Sequence, residues 1–399
     1  MTALKFEGDG WEYFKIWIVN ILLTIVTLGL YYPWAKVRNL RYFYANSTLE
    51  GKNFEYHATG KQLFIGYLIA MILLIAYVTI EQFSVVGSLI VLLIFALGYP
   101  WIVWRSLKFN ARMTSFSNVR FSFSGGCGAA YVNFLLLPAV FFISIYAGPV
   151  LAAVVIPMLT DSGTEFGALY ILAAVLIGCI LLVVAFFMYA FLKKRISTYI
   201  VKGYQYGQGE FDTNLETSSF ALILLKTIAI SFGIGVIGML LIGVVSMGTT
   251  GLSGIVSMQE GLENSSEDMD AYAGTILAMI LPVYVLMLFG FLVVSAYAKS
   301  RQRAYIYSNS LLDEKIAFES TLRARSLAWV MISNLFLIVL TLGLATPWAK
   351  VRLTRLYLEN TQVSAEQSFD EYVTQKLEEQ SSLGEQIGDA FDVDMDFGI

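Results

Sequence analysis

The chain has 399 residues, 57% of them apolar and only 14% charged, with a mean hydropathy of +0.68 and a formal net charge of −4. That balance excludes an ordinary soluble globular domain. Two cysteines, Cys127 and Cys179, and a single histidine, His57, give no basis for a disulfide framework or a metal cluster.

In chain order, a first arm at 14–38 carries a short apolar run interrupted by polar residues. Six longer apolar runs follow at 63–80, 85–103, 131–159, 166–192, 220–245 and 274–294. Each is long enough to cross a hydrocarbon layer of roughly 30 Å. A second arm lies at 327–352, and an acidic stretch at 359–399 closes the chain, so the membrane domain is expected to cover 1–358. The first fifteen residues carry acids and aromatics instead of a basic start and an apolar core, so no cleavable leader is expected.

The two arms are copies of each other. Pro33-Trp34-Ala35-Lys36-Val37-Arg38 recurs word for word as Pro347-Trp348-Ala349-Lys350-Val351-Arg352. Asn20, Thr27, Leu28, Gly29, Leu30, Arg41 and Asn46 reappear as Asn334, Thr341, Leu342, Gly343, Leu344, Arg355 and Asn360, at one constant offset. Such a register marks a true internal repeat.

Basic residues orient the spans, because cytoplasmic loops are enriched in Lys and Arg. With 36–61 placed inside, the loops at 81–84, 160–165 and 246–271 face outward and contain none of the 26 Lys and Arg residues. Six spans separate the arms, yet both arms end in the same basic flank. Arms that enter and return on the cytoplasmic face keep the bias intact and put both termini in the cytoplasm; two ordinary spanning arms are the alternative.

A weaker repeat marks the cytoplasmic side: Phe54-Glu55, Phe121-Ser122, Phe211-Asp212, Phe318-Glu319 and Phe369-Asp370 each follow a basic, aromatic stretch. Alternation around Glu50-Gly51 and Ser117-Asn118 predicts β-hairpins with one apolar face. Hairpins are marginal alone, so the copies are expected to pair into a small sheet. The expected fold is therefore an α-helical polytopic membrane protein with six spanning helices, two repeat-related re-entrant or spanning arms, and small cytoplasmic β-hairpins.

The opening Phe6-Glu7-Gly8, the stretch from Thr27 to Arg38, Asn46-Ser47-Thr48, Phe54-Glu55-Tyr56 and the run from Leu383 to Asp389 resemble the YjgN family of bacterial inner-membrane proteins. That family is defined by a domain of unknown function. The resemblance implies an inner-membrane location and supplies no substrate, cofactor or catalytic residue.

Candidate site residues fall into two groups. Lys226 lies about eight residues into its span, roughly 12 Å at the helical rise, and an intramembrane cation is a functional candidate. With Asn20, Asn334 and Asn133 it would line the path of a small solute through a transport or permeation protein. Trp34, Lys36, Arg38, Trp101, Trp348, Lys350 and Arg352 suit interfacial anchoring and contact with anionic headgroups. On that reading the protein is a structural or lipid-interacting scaffold, whose basic layer binds anionic lipid or a cytosolic partner. No catalytic set, nucleotide loop or metal motif is visible, so no catalytic, cofactor or metal residue is assigned and no nucleic-acid partner is expected. A membrane-embedded catalyst built from scattered carboxylates or tyrosines stays open.

Overall fold

The computed structural model describes residues 2–160, 167–249, 269–365 and 371–379. It divides into two compact units: Met1–Ala221, Ala304–Thr321 and Thr346–Ile399 form the first, Leu222–Arg303 and Leu322–Ala345 the second.

The first unit is organised by one antiparallel sheet of eleven short strands. The chain opens with β1 (Thr2–Ala3) and β2 (Lys5–Phe6). Four hairpins follow: β3 (Ser47–Leu49) with β4 (Lys52–Tyr56), β5 (Thr114–Phe116) with β6 (Val119–Phe123), β7 (Tyr204–Tyr206) with β8 (Gly209–Thr213), and β9 (Ser310–Leu312) with β10 (Ile316–Ser320). β11 (Thr361–Ala365) comes last. The registers Leu49↔Lys52, Phe116↔Val119 and Tyr206↔Gly209 leave two-residue loops. Glu50, Gly51, Ser117 and Asn118 all have positive φ there, the twist that tight hairpins require.

The sheet is closed. β1 pairs with β11 (Thr2↔Val363), while β2, one residue further on, pairs with β3 at the opposite end of the strand order (Lys5↔Thr48). The intervening Leu4 donates its N–H to the Thr361 carbonyl at 3.0 Å. Residues 2–6 are thus one strand bridging both edges, and closure leaves no free edge to aggregate. The expected small sheet is a barrel. Its alternation is that of half-buried strands: Phe54, Phe121, Phe211 and Phe318 pack against the interior cluster, while Glu55, Arg120, Glu210 and Asp212 are exposed. Leu4 takes the fifth station in this ring of side chains. Phe369 and Asp370, expected there from sequence, lie outside the described residues.

Five helical excursions interrupt the barrel. They are α1 (Gly10–Val26) with α2 (Tyr32–Ala45); α3 (Gly60–Phe83) with α4 (Val85–Arg112); α5 (Cys127–Tyr131), a π-helical turn (Val132–Leu136) and α6 (Leu137–Thr160) with α7 (Gly167–Gly203); α8 (Thr217–Thr249) with α9 (Met269–Ser308); and α10 (Ala324–Leu340) with α11 (Thr346–Glu359). Every strand pair is antiparallel, so each excursion leaves and rejoins the barrel at the same rim, and every β-turn lies at the other.

Among the described residues six helical stretches are long and apolar enough to cross a membrane: Gly60–Phe83, Val85–Arg112, Cys127–Ala147, Leu172–Gly203, Thr217–Leu240 and Leu281–Ser308. The arm helices are shorter, 17 residues in both α1 and α10. In each copy the conserved frame builds the same turn. Leu28 and Gly29 take φ of 50° and 90°, Leu342 and Gly343 φ of 50° and 92°. Thr27 Oγ1 accepts from the Tyr31 N–H and Thr341 Oγ1 from the Ala345 N–H, both at 3.0 Å. Pro33 then starts the return helix, where its missing N–H costs nothing. Asn20 lies inside the continuous helix α1.

The second unit pairs α8 with α9 through small residues. Leu286 lies against Gly238 and Ile234 against Gly290, the close approach that glycine permits between apolar helices. Phe289 stacks on Phe336 of α10 at 5.3 Å.

The stretch expected to begin an acidic tail at 359 is instead built into the barrel as β11, and a further helix, α12 (371–379), closes the turn rim. Tyr372 and Val373 enter the barrel core beside Val119, Tyr206 and Ile316. Tyr372 and Val373, apolar at consecutive positions, leave this short helix without a periodic signature. Residues 380–399, including Leu383, Ile387 and Phe391, lie outside the described residues.

Candidate functional site

A cavity of about 440 Å³ runs along the seam of α1, α2 and α11. Helix α1 presents Tyr13, Asn20 and Thr24, spaced by seven and four residues and hence on one face. Helix α2 contributes Lys36 and Asn39, and α11 contributes Lys350. Lys36 and Lys350 hold the same position in the two repeat copies, and the ring-like order of the arms brings them to one cavity.

Asn20, 3% exposed, fixes the seam. Its Nδ2 donates to Asn39 Oδ1 at 3.1 Å and to the Ala35 carbonyl at 3.5 Å. Its Oδ1 accepts from Arg38 Nη1 at 3.3 Å, and the same nitrogen reaches the Tyr31 hydroxyl at 3.4 Å. A buried amide with its partners supplied stabilises the packing instead of penalising it. Tyr13 is fully buried, with its ring 5.3 Å from Tyr42 and 4.7 Å from Phe43. Its hydroxyl has no hydrogen-bond partner among the described residues. No lining residue is acidic, and neither Lys36 nor Lys350 forms an ion pair with a described residue. Chemically, the seam offers two ammonium groups at its exposed mouth, amide and hydroxyl groups along its wall, and apolar flanks from Trp17, Ile21 and Ile25.

The other candidates are placed as follows. Arg38 is held on Asn20 and Tyr31, and Arg352 is exposed. Trp34 lies over Gly60 and 5.1 Å from Phe64; Trp348 lies over Gly10 and 5.1 Å from Phe14. Trp101, half exposed, follows the buried Pro100 inside α4. Asn133 is buried in the π-helical turn, and its Oδ1 has no partner among the described residues. Asn334 is buried in α10. Lys226 is exposed on α8, beside the exposed Leu222 and Leu225. The structure therefore joins Asn20, Lys36 and Lys350 and leaves Asn133 elsewhere in the first unit. Tyr13, Thr24 and Asn39 escaped the sequence reading, although the spacing of Tyr13, Asn20 and Thr24 on one helical face could have exposed the first two.

A polar clasp sits at the turn rim. Lys376 Nζ lies 2.9 Å from Asp313 Oδ2 and 3.0 Å from Glu379 Oε2. The Tyr372 hydroxyl donates to Asp313 Oδ2 at 2.9 Å, and the Glu210 N–H donates to Asp313 Oδ1 at 2.9 Å. Burial pushes the Asp313 carboxyl up, but the Lys376 ammonium and these donors outweigh it and hold it below its ordinary value. Burial and the neighbouring Asp313 both push the Tyr372 phenol up.

Six helices long and apolar enough to cross a membrane, counted among the described residues, define a polytopic membrane protein. The chain belongs to the family described as "Bacterial protein of unknown function (DUF898)", which matches residues 1–390. It is similar to the inner membrane protein YjgN of Salmonella typhimurium LT2, 29% identical over 91% of this chain and 89% of the relative. It is also similar to the YjgN proteins of Escherichia coli O157:H7 and K12, 27% and 26% identical over 90% of this chain and 87% of each relative. No solved structure matches it. The chain is thus a multi-pass inner-membrane protein.

Proposed function

We propose that the protein binds lipid of the inner membrane, seating an anionic headgroup between Lys36 and Lys350 in the arm seam, with barrel, arms and both termini on the cytoplasmic side. The observation that carries this reading is the convergence of both repeat copies, lysine for lysine, on one cavity without an acid. Charge balance there calls for an anion, and the apolar flanks suit one attached to alkyl chains.

Topology supports the placement. An arm that leaves and rejoins one rim cannot end on the opposite face, and α1, roughly 25 Å long at 1.5 Å per residue, falls short of the hydrocarbon thickness. The return helix also carries Lys36, Arg38 and Arg41, which favours an interfacial position. Lys61, Arg105, Lys108 and Arg112 all lie near the rim ends of α3 and α4, the cytoplasmic pattern.

The test is binding of phosphatidylglycerol against phosphatidylcholine by native mass spectrometry of the purified chain. Each lysine near an anionic surface contributes about 1 kcal/mol, so Lys36→Gln with Lys350→Gln should weaken phosphatidylglycerol binding on the order of thirtyfold. Unchanged affinity in the double variant would exclude the seam as the seat.

A second reading, passage of a small solute, rests on Asn133: π-helical turns are frequent at functional sites, and this one buries an amide oxygen with no partner among the described residues. Lys226, exposed among leucines, supports that reading less than a cation turned toward a polar cavity would.

A further inference from the structure

We infer that the barrel interior is a second binding chamber, separate from the arm seam, which takes one alkyl chain of a membrane lipid through the rim where the helices leave. Two cavities, about 220 Å³ inside the barrel and about 370 Å³ toward the rim, share Phe54, Phe121, Phe211, Phe318 and Tyr307 in their walls. The four phenylalanines come from equivalent stations of β4, β6, β8 and β10, so the repeat itself builds the chamber. Protein interiors normally close-pack. Space of this size among aromatic rings lies in the range of ligand sites.

The lining selects the ligand. None of the residues around either cavity carries a charge, so a headgroup would be stripped of water without compensation if it entered. The polar atoms at the floor are already used: the Tyr206 hydroxyl donates to the Phe116 carbonyl at 3.0 Å and the Tyr372 hydroxyl to Asp313. An apolar, internally satisfied cavity favours a hydrocarbon over water. Asn110, Thr114 and Ser310 sit toward the rim, where a glycerol or ester group would stop.

The geometry also names the source. Helix α12 closes the turn rim with Tyr372 and Val373. The outer cavity is bounded by the barrel-proximal ends of α2, α4, α7 and α9, through Tyr44, Asn110, Ile200 and Ile306. Spans α3 and α4 start and finish at that same rim, so the phase meeting the mouth is the bilayer. The wall is continuous around the chamber, with Phe54 packed on Phe116 at 4.6 Å and Phe211 stacked on Phe318 at 5.8 Å, and the inner space of about 220 Å³ suits one chain.

The experiment uses the full chain in phosphatidylcholine nanodiscs containing a phosphatidylcholine with a diazirine at the end of one acyl chain, followed by peptide mapping of the photolabel. Label is expected on the strands that carry Phe54, Phe121, Phe211 and Phe318, as well as on exposed span residues such as Ile72 and Leu93. Phe121→Trp, which fills the chamber, should lower strand labelling at least fivefold and leave span labelling unchanged. Phe318→Leu, which widens the chamber, should retain strand labelling. Lys36→Gln with Lys350→Gln should also retain it, which separates this chamber from the seam. Span labelling without strand labelling, or strand labelling that survives Phe121→Trp in a folded protein, would overturn the proposal.

Discussion

The indole of Trp348 lies directly over Gly10, tying the second repeat copy to the first helix of the chain. Trp34 lies over Gly60 in the same way. The neighbouring arginines repeat the relationship: Arg41 donates to the Ala58 carbonyl at 2.7 Å and Arg355 to the Gly8 carbonyl at 2.9 Å. Each copy thus grips the helix that follows it around the barrel, and for the last copy that helix is α1. The repeat runs in a circle.

At Gly10 and Gly60 an added Cβ would collide with the tryptophan ring. Gly10→Val and Gly60→Val should each destabilise the folded protein by about 1–3 kcal/mol, the usual cost of overpacking. Gly66, with nothing within 4 Å, should accept Ala without loss. Thermal unfolding in detergent compares the three, and equal midpoints would remove the grip from the account.

Charge inside the barrel should be far more damaging than charge outside it. Phe54→Asp and Phe121→Asp place a carboxylate among apolar rings, which costs several kcal/mol. Glu55→Lys, on the outer face, should change stability by less than about 0.5 kcal/mol. Yield of monodisperse protein and its melting point measure both.

The clasp predicts a pH profile. Asp313 is held below its ordinary 3.8, so its contribution is complete above that pH and is lost as pH falls through the lower folded value. Burial pushes Lys376 down, but Asp313 and Glu379 more than compensate and hold it above 10.5. Its contribution is complete below 10.5 and fades as pH rises through the raised value. Hydrogen exchange of 371–379 should therefore report a flat opening free energy from about pH 5 to 9 and a loss of protection in acid. Lys376→Met should lower that free energy by about 1–3 kcal/mol at neutral pH, since Asp313 retains solvent on one side.

Topology is testable by membrane-impermeant thiol labelling in a variant lacking Cys127 and Cys179. Cysteines at Ala3, Glu50 and Thr354 should all be shielded from the periplasm and all react once the membrane is opened. Periplasmic labelling at Thr354 with shielding at Ala3 would mean that one arm crosses.

The spans were legible because long, predominantly apolar runs have few other readings. The hairpins were legible through the alternation about Glu50-Gly51 and Ser117-Asn118. Closure was not: β1 and β2 have two residues each, too short for a period, and Thr2 meets Val363 across nearly the whole chain. The seam was half legible. Asn20, Lys36 and Lys350 stood out through the repeat, but their meeting depends on the circular order of the arms, which only closure creates. Tyr13 stands among the aromatics Trp11 and Phe14 with no sequence signal of its own. Its burial follows from Tyr42 and Phe43 on the other arm helix.

The shared seat for an anionic headgroup is tested most directly by electron cryo-microscopy of the protein in nanodiscs containing phosphatidylglycerol. The account predicts headgroup density in the seam, within hydrogen-bond distance of both Lys36 and Lys350, that is missing in the Lys36→Gln and Lys350→Gln double variant. Clear lipid density around the spans with none between the two lysines would contradict it.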